Sequence, residues 1–174
     1  MLRLISLRRV NRHWPSIVLT FLCIGLPAAM GGTAGQVPIK ASFQGFAEAP
    51  VYTGIGEVFE IVVPLSGHGT HLGDFDETLT HFLDFATMQF SGFAVFTAAN
   101  GDTFRTEFSG QLFPTDDADW LSFEVTHIIV GGTGRFAGAT GILHGVNGRF
   151  NTVTGEDLGG YIGTISSPGS AKKK

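Results

Sequence analysis

Residues 86–111, ATMQFSGFAVFTAANGDTFRTEFSGQ, decide the fold. In the second half Phe104, Thr106 and Phe108 alternate with Arg105, Glu107 and Ser109. A period of two sends successive side chains to opposite faces of a strand. In the first half Met88, Phe90, Ala94 and Phe96 share one face, and Phe93 and Val95 lie on the other. Asn100-Gly101 joins the halves, and both residues accept the positive φ that a two-residue hairpin turn demands. The stretch reads as a β-hairpin.

Working outward, the same signal recurs in Ile39–Phe46, Ile55–Val63, Leu65–Phe75, Trp120–Val130, Ile142–Phe150 and Gly159–Ser166. With the hairpin these make eight strands, separated by Gly, Pro, Asp or Asn. Pro64 is expected to break the second run from the third, and Glu77–Phe85 (ETLTHFLDF) to form a short helix or a lid. Eight closely spaced strands suit a closed antiparallel barrel or a sandwich. Closure hides sheet edges, which matters for a chain with 16 phenylalanines. Ala86–Ala98 and the end of Trp120–Val130, at Ile128 and Ile129, are apolar on both faces. One face fills the interior and the other needs a cover, so a homo-oligomer is expected.

The chain ends differ from this core. Residues 1–35 hold Arg3, Arg8, Arg9 and Arg12, then an apolar run from Ile17 to Met30, then small residues up to Gly35. Basic, apolar and small regions in that order predict a signal peptide cleaved between about residues 29 and 36, and hence export to the periplasm or beyond. Residues 36–166 are the expected barrel domain, and residues 167–174, ending Lys172-Lys173-Lys174, a flexible basic tail. The whole chain has 174 residues and net charge −4; past residue 35 it has seven Lys and Arg against 15 Asp and Glu, a net −8. Such a surface argues against nucleic acid as partner, and no membrane span is expected after cleavage. The single cysteine, Cys23, falls within the leader, so no disulfide framework is available.

One string is specific: Val130-Gly-Gly-Thr-Gly-Arg-Phe-Ala-Gly-Ala-Thr-Gly141. A strand ends, glycines turn the chain, Arg135-Phe136-Ala137-Gly138 form a short turn, and a strand leaves from Gly141. It resembles the corresponding segment of allene oxide cyclases and dirigent proteins. With Gly69-Thr-His-Leu-Gly73 it also resembles small secreted bacterial proteins of that barrel superfamily, mostly of unassigned function. The resemblance covers Leu65–Ser166, and more loosely Gln36–Ser166. It implies an all-β, eight-stranded antiparallel closed barrel, often trimeric, with an interior cavity for a hydrophobic small molecule. In the family's enzymes polar groups in that cavity guide ring closure or radical coupling. Ile39–Phe46 (IKASFQGF) lacks the Asn-, Glu- and Arg-type cluster of the plant cyclases, so no catalytic residue carries over. The motif residues Gly131, Gly132, Gly134, Phe136, Gly138 and Gly141 are structural in this reading, with Phe136 plugging one end of the core.

Candidate functional residues follow from chemistry. GGTGRFAG has no Walker lysine and no βαβ context, which leaves a structural turn. His68, His71 and Asp74 lie in the segment densest in ionisable groups, but His68 and His71 fall on opposite faces of an extended strand, so no metal is assigned. His127 shares a face with Leu121, Phe123, Val125 and Ile129, where it is either a satisfied core residue or a base of lowered pKa. Arg105 and Glu107 become a charged pair of a pocket if their face points inward. Phe90, Phe104, Phe108 and Phe123 are the candidate lining of a ligand site. The functional expectation is a lumen that binds a hydrophobic small molecule without a cofactor. The alternatives are a cofactor-independent cyclase or isomerase, with His127, Arg105 and Glu107 as its groups, and a surface protein with a solid-packed barrel.

Overall fold

The computed structural model describes residues 35–166. The expected leader, apart from Gly35, and the basic tail lie outside the described residues. Nine antiparallel strands follow one another: β1 Gln36–Phe46, β2 Val51–Tyr52, β3 Val58–Gly69, β4 Gly73–Asp84, β5 Gln89–Ala98, β6 Thr103–Pro114, β7 Trp120–Gly132, β8 Gly141–Asn151 and β9 Glu156–Ser166. Each long strand pairs with the next, β9 pairs with β1, and β1 pairs with β3, so eight strands close into a barrel. The two-residue β2 is an extra, laid against Phe59 and Glu60 of β3. Among the described residues no helix is long and apolar enough to cross a membrane.

Three local expectations for β3 and β4 are overturned. The Leu65–Phe75 run is not one strand: β3 ends at Gly69, Thr70, His71 and Leu72 make the turn and β4 opens at Gly73, so His68 and His71 do not share a strand. β3 runs through Pro64 without a break. Val62 gives its carbonyl to the Glu48 N–H, so even-numbered residues of β3 turn their backbone groups to that side. Pro64 faces the same side, between Glu60, the last residue paired with β2, and Leu65, the first paired with β1. Its missing N–H therefore costs little of the ladder. Glu77–Phe85 forms no helix or lid; residues up to Asp84 belong to β4. Phe75, Glu77, Leu79, His81 and Leu83 alternate inward there, and the acid within the apolar face hid the period of two.

Asn100-Gly101 lies in the turn that joins β5 to β6, but the connection is the four residues from Ala99 to Asp102 and Gly101 alone of them has positive φ, at 82°, in place of the expected two-residue turn. Inward residues build one core from Ile39, Val63, Leu72, Phe75, Phe96, Phe104, Ile129, Leu143 and Ile165, among others. Outward, Phe93 on β5, Ile128 and Val130 on β7, Ile142 on β8 and Ile162 on β9 are exposed. Inside, two rings lie over glycines. A Cβ on Gly110 would strike the Phe90 ring, and one on Gly148 the Phe123 ring.

The two ends differ. At one end a single 3-10 turn, Gly134–Phe136, drops Phe136 into the barrel mouth, where it is fully buried. Its ring meets Phe104 edge-on at 5.3 Å, and Phe104 stacks on Phe96 at 4.4 Å. Asp102 holds this plug: its Oδ2 accepts the Arg135 backbone N–H at 3.1 Å. Gly134 sits at φ 53°, and a Cβ there would strike the Asp102 carboxylate. The opposite end, at Leu83, Leu112, Phe123 and Phe150, has no such cap among the described residues, and Leu112, Phe123 and Phe150 are half-buried.

Phe136→Ala is expected to cost about 3–5 kcal/mol in urea unfolding, the usual range for emptying a buried aromatic site. A loss below about 1 kcal/mol would show that the ring does not seal the core.

Candidate functional site

Closing the sheet brings inward side chains from several strands around one small chamber. Its apolar wall includes Phe43, Leu79, Phe90, Phe123 and Val125; its polar wall is His81, His127, Asp157 and Tyr161. The room inside is about 50 Å³ for the centres of water-sized spheres. Toward the open end Ile61, Leu83, Leu112 and Phe150 belong both to this chamber and to an outer recess of about 390 Å³. A larger recess of about 860 Å³ crosses the outside of β4 to β8, but Asp84, Glu124 and His144 in its lining are not buried.

Register explains the grouping. Asp157 on β9 faces Gly45 on β1, Gly45 faces Leu65 on β3, and Leu65 faces Glu77 on β4. One inward row thus carries a carboxyl at each end. Tyr161 stands four residues from Asp157 on the same face of β9, and its hydroxyl lies 3.1 Å from both Glu77 oxygens. Glu77 is 1% exposed and reaches the chamber only through Tyr161. Burial drives its pKa well above the ordinary carboxyl range; the Tyr161 hydrogen bond opposes this and the nearby Asp157 charge adds to it. Burial also raises Asp157 to about 7. Burial raises Tyr161 too, helped by the two carboxyls.

His127 is fully buried on β7, with Phe108 at 4.8 Å, Tyr161 at 5.0 Å and Phe96 at 6.2 Å between ring centres. Removal from water lowers it to about 3. Its Nδ1 is 2.9 Å from the Thr106 hydroxyl on β6. His81, half-buried beside Phe90, is lowered by burial to about 4. Three buried side-chain polar atoms have no hydrogen-bond partner among the described residues. Arg135 Nε lies at the plugged end, whereas His127 Nε2 and Asp157 Oδ1 belong to chamber-lining side chains.

The remaining sequence candidates separate. Phe90 and Phe123 line the chamber. Phe104 does not, because it is packed between Phe96 and Phe136 at the plug. Phe108 lies behind the His127 ring and outside the lining. Arg105 and Glu107 point outward and are exposed, because Phe104, Thr106 and Phe108 take the inward positions of β6. They form no pocket pair in the lumen. His68 Nδ1 and Asp74 Oδ1 make an exposed 2.8 Å pair beside the β3–β4 turn, where His71 sits at φ 64°. Among the described residues no cluster of three metal-ligating side chains forms. Glu77, Asp157 and Tyr161 were not singled out from the sequence. The alternation around Glu77 was the available signal for it; Asp157 lies just outside the expected Gly159–Ser166 strand.

No protein-family model, curated protein or solved structure matches this chain.

Proton linkage makes the buried groups visible in stability. An acid with a raised folded pKa keeps a proton that the unfolded chain releases above about pH 4, so its stabilisation is lost as pH rises through the folded value. A histidine with a lowered folded pKa lacks a proton that the unfolded chain binds below about pH 6.5, so its penalty is relieved as pH rises. Glu77 and Asp157 therefore oppose His81 and His127 from about pH 4.5 to 6.5, and stability is expected to be nearly flat there. Above that range only the acids act, and stability falls by about 1.4 kcal/mol per pH unit for each one still protonated. Asp157→Asn is expected to make stability rise with pH across the flat range. Urea unfolding over a pH series reads both slopes. A wild-type curve that climbs to about pH 6.5 and stays level from there to pH 8 would mean that these carboxyls ionise freely in the native barrel.

Proposed function

We propose that this protein is a lumen receptor for a small, mostly apolar molecule that carries one polar end. The observation that carries this is the pair of unpartnered atoms, His127 Nε2 and Asp157 Oδ1, on side chains of a largely apolar chamber. An unpaired buried polar atom is costly, and a guest with a matching group removes that cost. The asymmetry of the barrel supports entry at the end opposite Phe136. The chamber is too small for a drug-sized molecule, so the polar end occupies it while the apolar remainder lies in the outer recess beside Leu112, Leu121 and Phe150. The likeness of Val130–Gly141 to allene oxide cyclases and dirigent proteins, and an exported location, belong to the same proposal.

The test is titration with a small neutral dye whose emission reports an apolar environment. Leu112→Trp fills the throat between recess and chamber and is expected to weaken binding at least about tenfold, or about 1.4 kcal/mol. Equal binding by this variant and the wild type would overturn the lumen as the site.

A cofactor-independent isomerase or cyclase is the second reading, favoured by one observation. Asp157, held to about 7, can accept and return a proton near neutral pH close to a neutral imidazole. In this reading Asp157 is the base and His127 polarises the substrate, the parts that Arg105 and Glu107 cannot play from the outer face. Deuterium exchange at the carbon next to the carbonyl of a bound ketone, abolished in Asp157→Asn, is the expected result. Exchange unchanged in that variant would remove the catalytic reading and leave the receptor.

A further inference from the structure

The polar end of the guest is set by one hydrogen bond in the chamber wall. The Thr106 side chain is fully buried, and the only partner of its hydroxyl among the described residues is His127 Nδ1. Two proton placements satisfy the 2.9 Å contact. If Nδ1–H donates to Thr106 Oγ1, the hydroxyl proton and the bare Nε2 are both buried without partners. If the hydroxyl donates to Nδ1, the Nε2–H and the hydroxyl lone pairs are left unpaired. Each placement strands one donor, but the second pairs the ring nitrogen, a far stronger base than a hydroxyl oxygen, and strands only the weaker acceptor.

We infer that Thr106 holds His127 as the neutral Nε2–H tautomer, so that the lumen selects neutral guests bearing a carbonyl-type acceptor oxygen and rejects carboxylates. The inference deepens the receptor reading and rests on it. Its electrostatic half comes from the wall. Among the described residues no lysine or arginine lines the chamber, Asp157 does, and Glu77 stands behind the Tyr161 hydroxyl. A carboxylate guest surrenders its hydration to a site with no cation to replace it. A ketone, ester or amide surrenders far less, and its oxygen meets the unpartnered N–H of the chamber wall. The aromatic rings of Phe96, Phe108 and Tyr161 keep that imidazole uncharged, so the donor persists across the neutral pH range.

The experiment has two arms on the ¹⁵N-labelled full chain. Ring nitrogen shifts of His127, followed from about pH 5 to 8, are expected to show a protonated Nε2 and a bare Nδ1. Thr106→Val removes the donor and is expected to give a mixture of tautomers with the fold intact. Binding is then measured with cyclohexanone, methylcyclohexane and cyclohexanecarboxylate. His127→Phe is expected to weaken cyclohexanone by about five- to tenfold, the worth of one hydrogen bond, and to change methylcyclohexane by less than about twofold. If His127→Phe does not fold, Thr106→Val is expected to show the same selective loss in smaller measure. Cyclohexanecarboxylate is expected not to bind at neutral pH. A protonated Nδ1 in the wild type, equal losses for ketone and hydrocarbon, or binding of the carboxylate each overturns the guest class while leaving the receptor standing. Failure of all three guests to bind overturns the receptor reading, and the guest class with it, whatever the tautomer.

Discussion

Five residue pairs close this barrel, from Ala41 opposite Gly69 to Gly45 opposite Leu65. Without the β1–β3 ladder the chain is an open sheet, with β1 at one edge and β2 lying on β3 at the other. Closure turns one face of every strand into an interior, and alternation then assigns each side chain to lumen or surface. It also joins β9, β1, β3 and β4 into the continuous row that places Asp157 and Glu77 inside together. The lumen chemistry is thus a consequence of register. A one-residue slip between β1 and β3 would send one set of these groups to solvent.

Enclosure decides the charge state of what it traps. In a dry interior each ionisable group takes its neutral form, so acids move up and imidazoles move down. Glu77, Asp157, His81 and His127 obey this rule, although water would leave the acids charged at neutral pH. The contrast is Asp102, half-buried near the plug. The Arg135 backbone N–H and the Asn100 side chain stabilise its carboxylate, and its pKa falls. The same residue type thus serves as a charged clamp on the 3-10 turn and as a neutral acid in the lumen.

The barrel was legible in the sequence wherever apolar and polar residues alternate without exception. The Phe104-Thr106-Phe108 face, the Asn100-Gly101 turn and the Phe136 plug all follow that rule or its glycine punctuation. His127 stood out because its neighbours at two-residue spacing are apolar. Glu77 was obscured for the opposite reason: a single acid on the inner face of β4 made a strand look amphipathic in another way. Arg105 and Glu107 could not be placed from their strand alone, since alternation fixes which residues share a face but not which face is inside. Asp157 and Tyr161 required the β9–β1–β3–β4 row, a long-range property that no local window contains.

A lumen filled only with leucine and phenylalanine would hold a barrel of this size more firmly. This one instead keeps a carboxyl pair, two imidazoles and two unpartnered polar atoms, in a chain whose described residues contain no disulfide to offset the cost. Sequences depart from apolar packing at the places where a ligand or a reaction requires it. Most of the departures are grouped. His81, His127 and Asp157 line a single chamber with Glu77 behind Tyr161, while the plugged end is packed with aromatic and aliphatic side chains and carries one unpartnered atom, Arg135 Nε. That separation of an apolar, plugged end from a polar chamber is the physical argument for the proposed receptor.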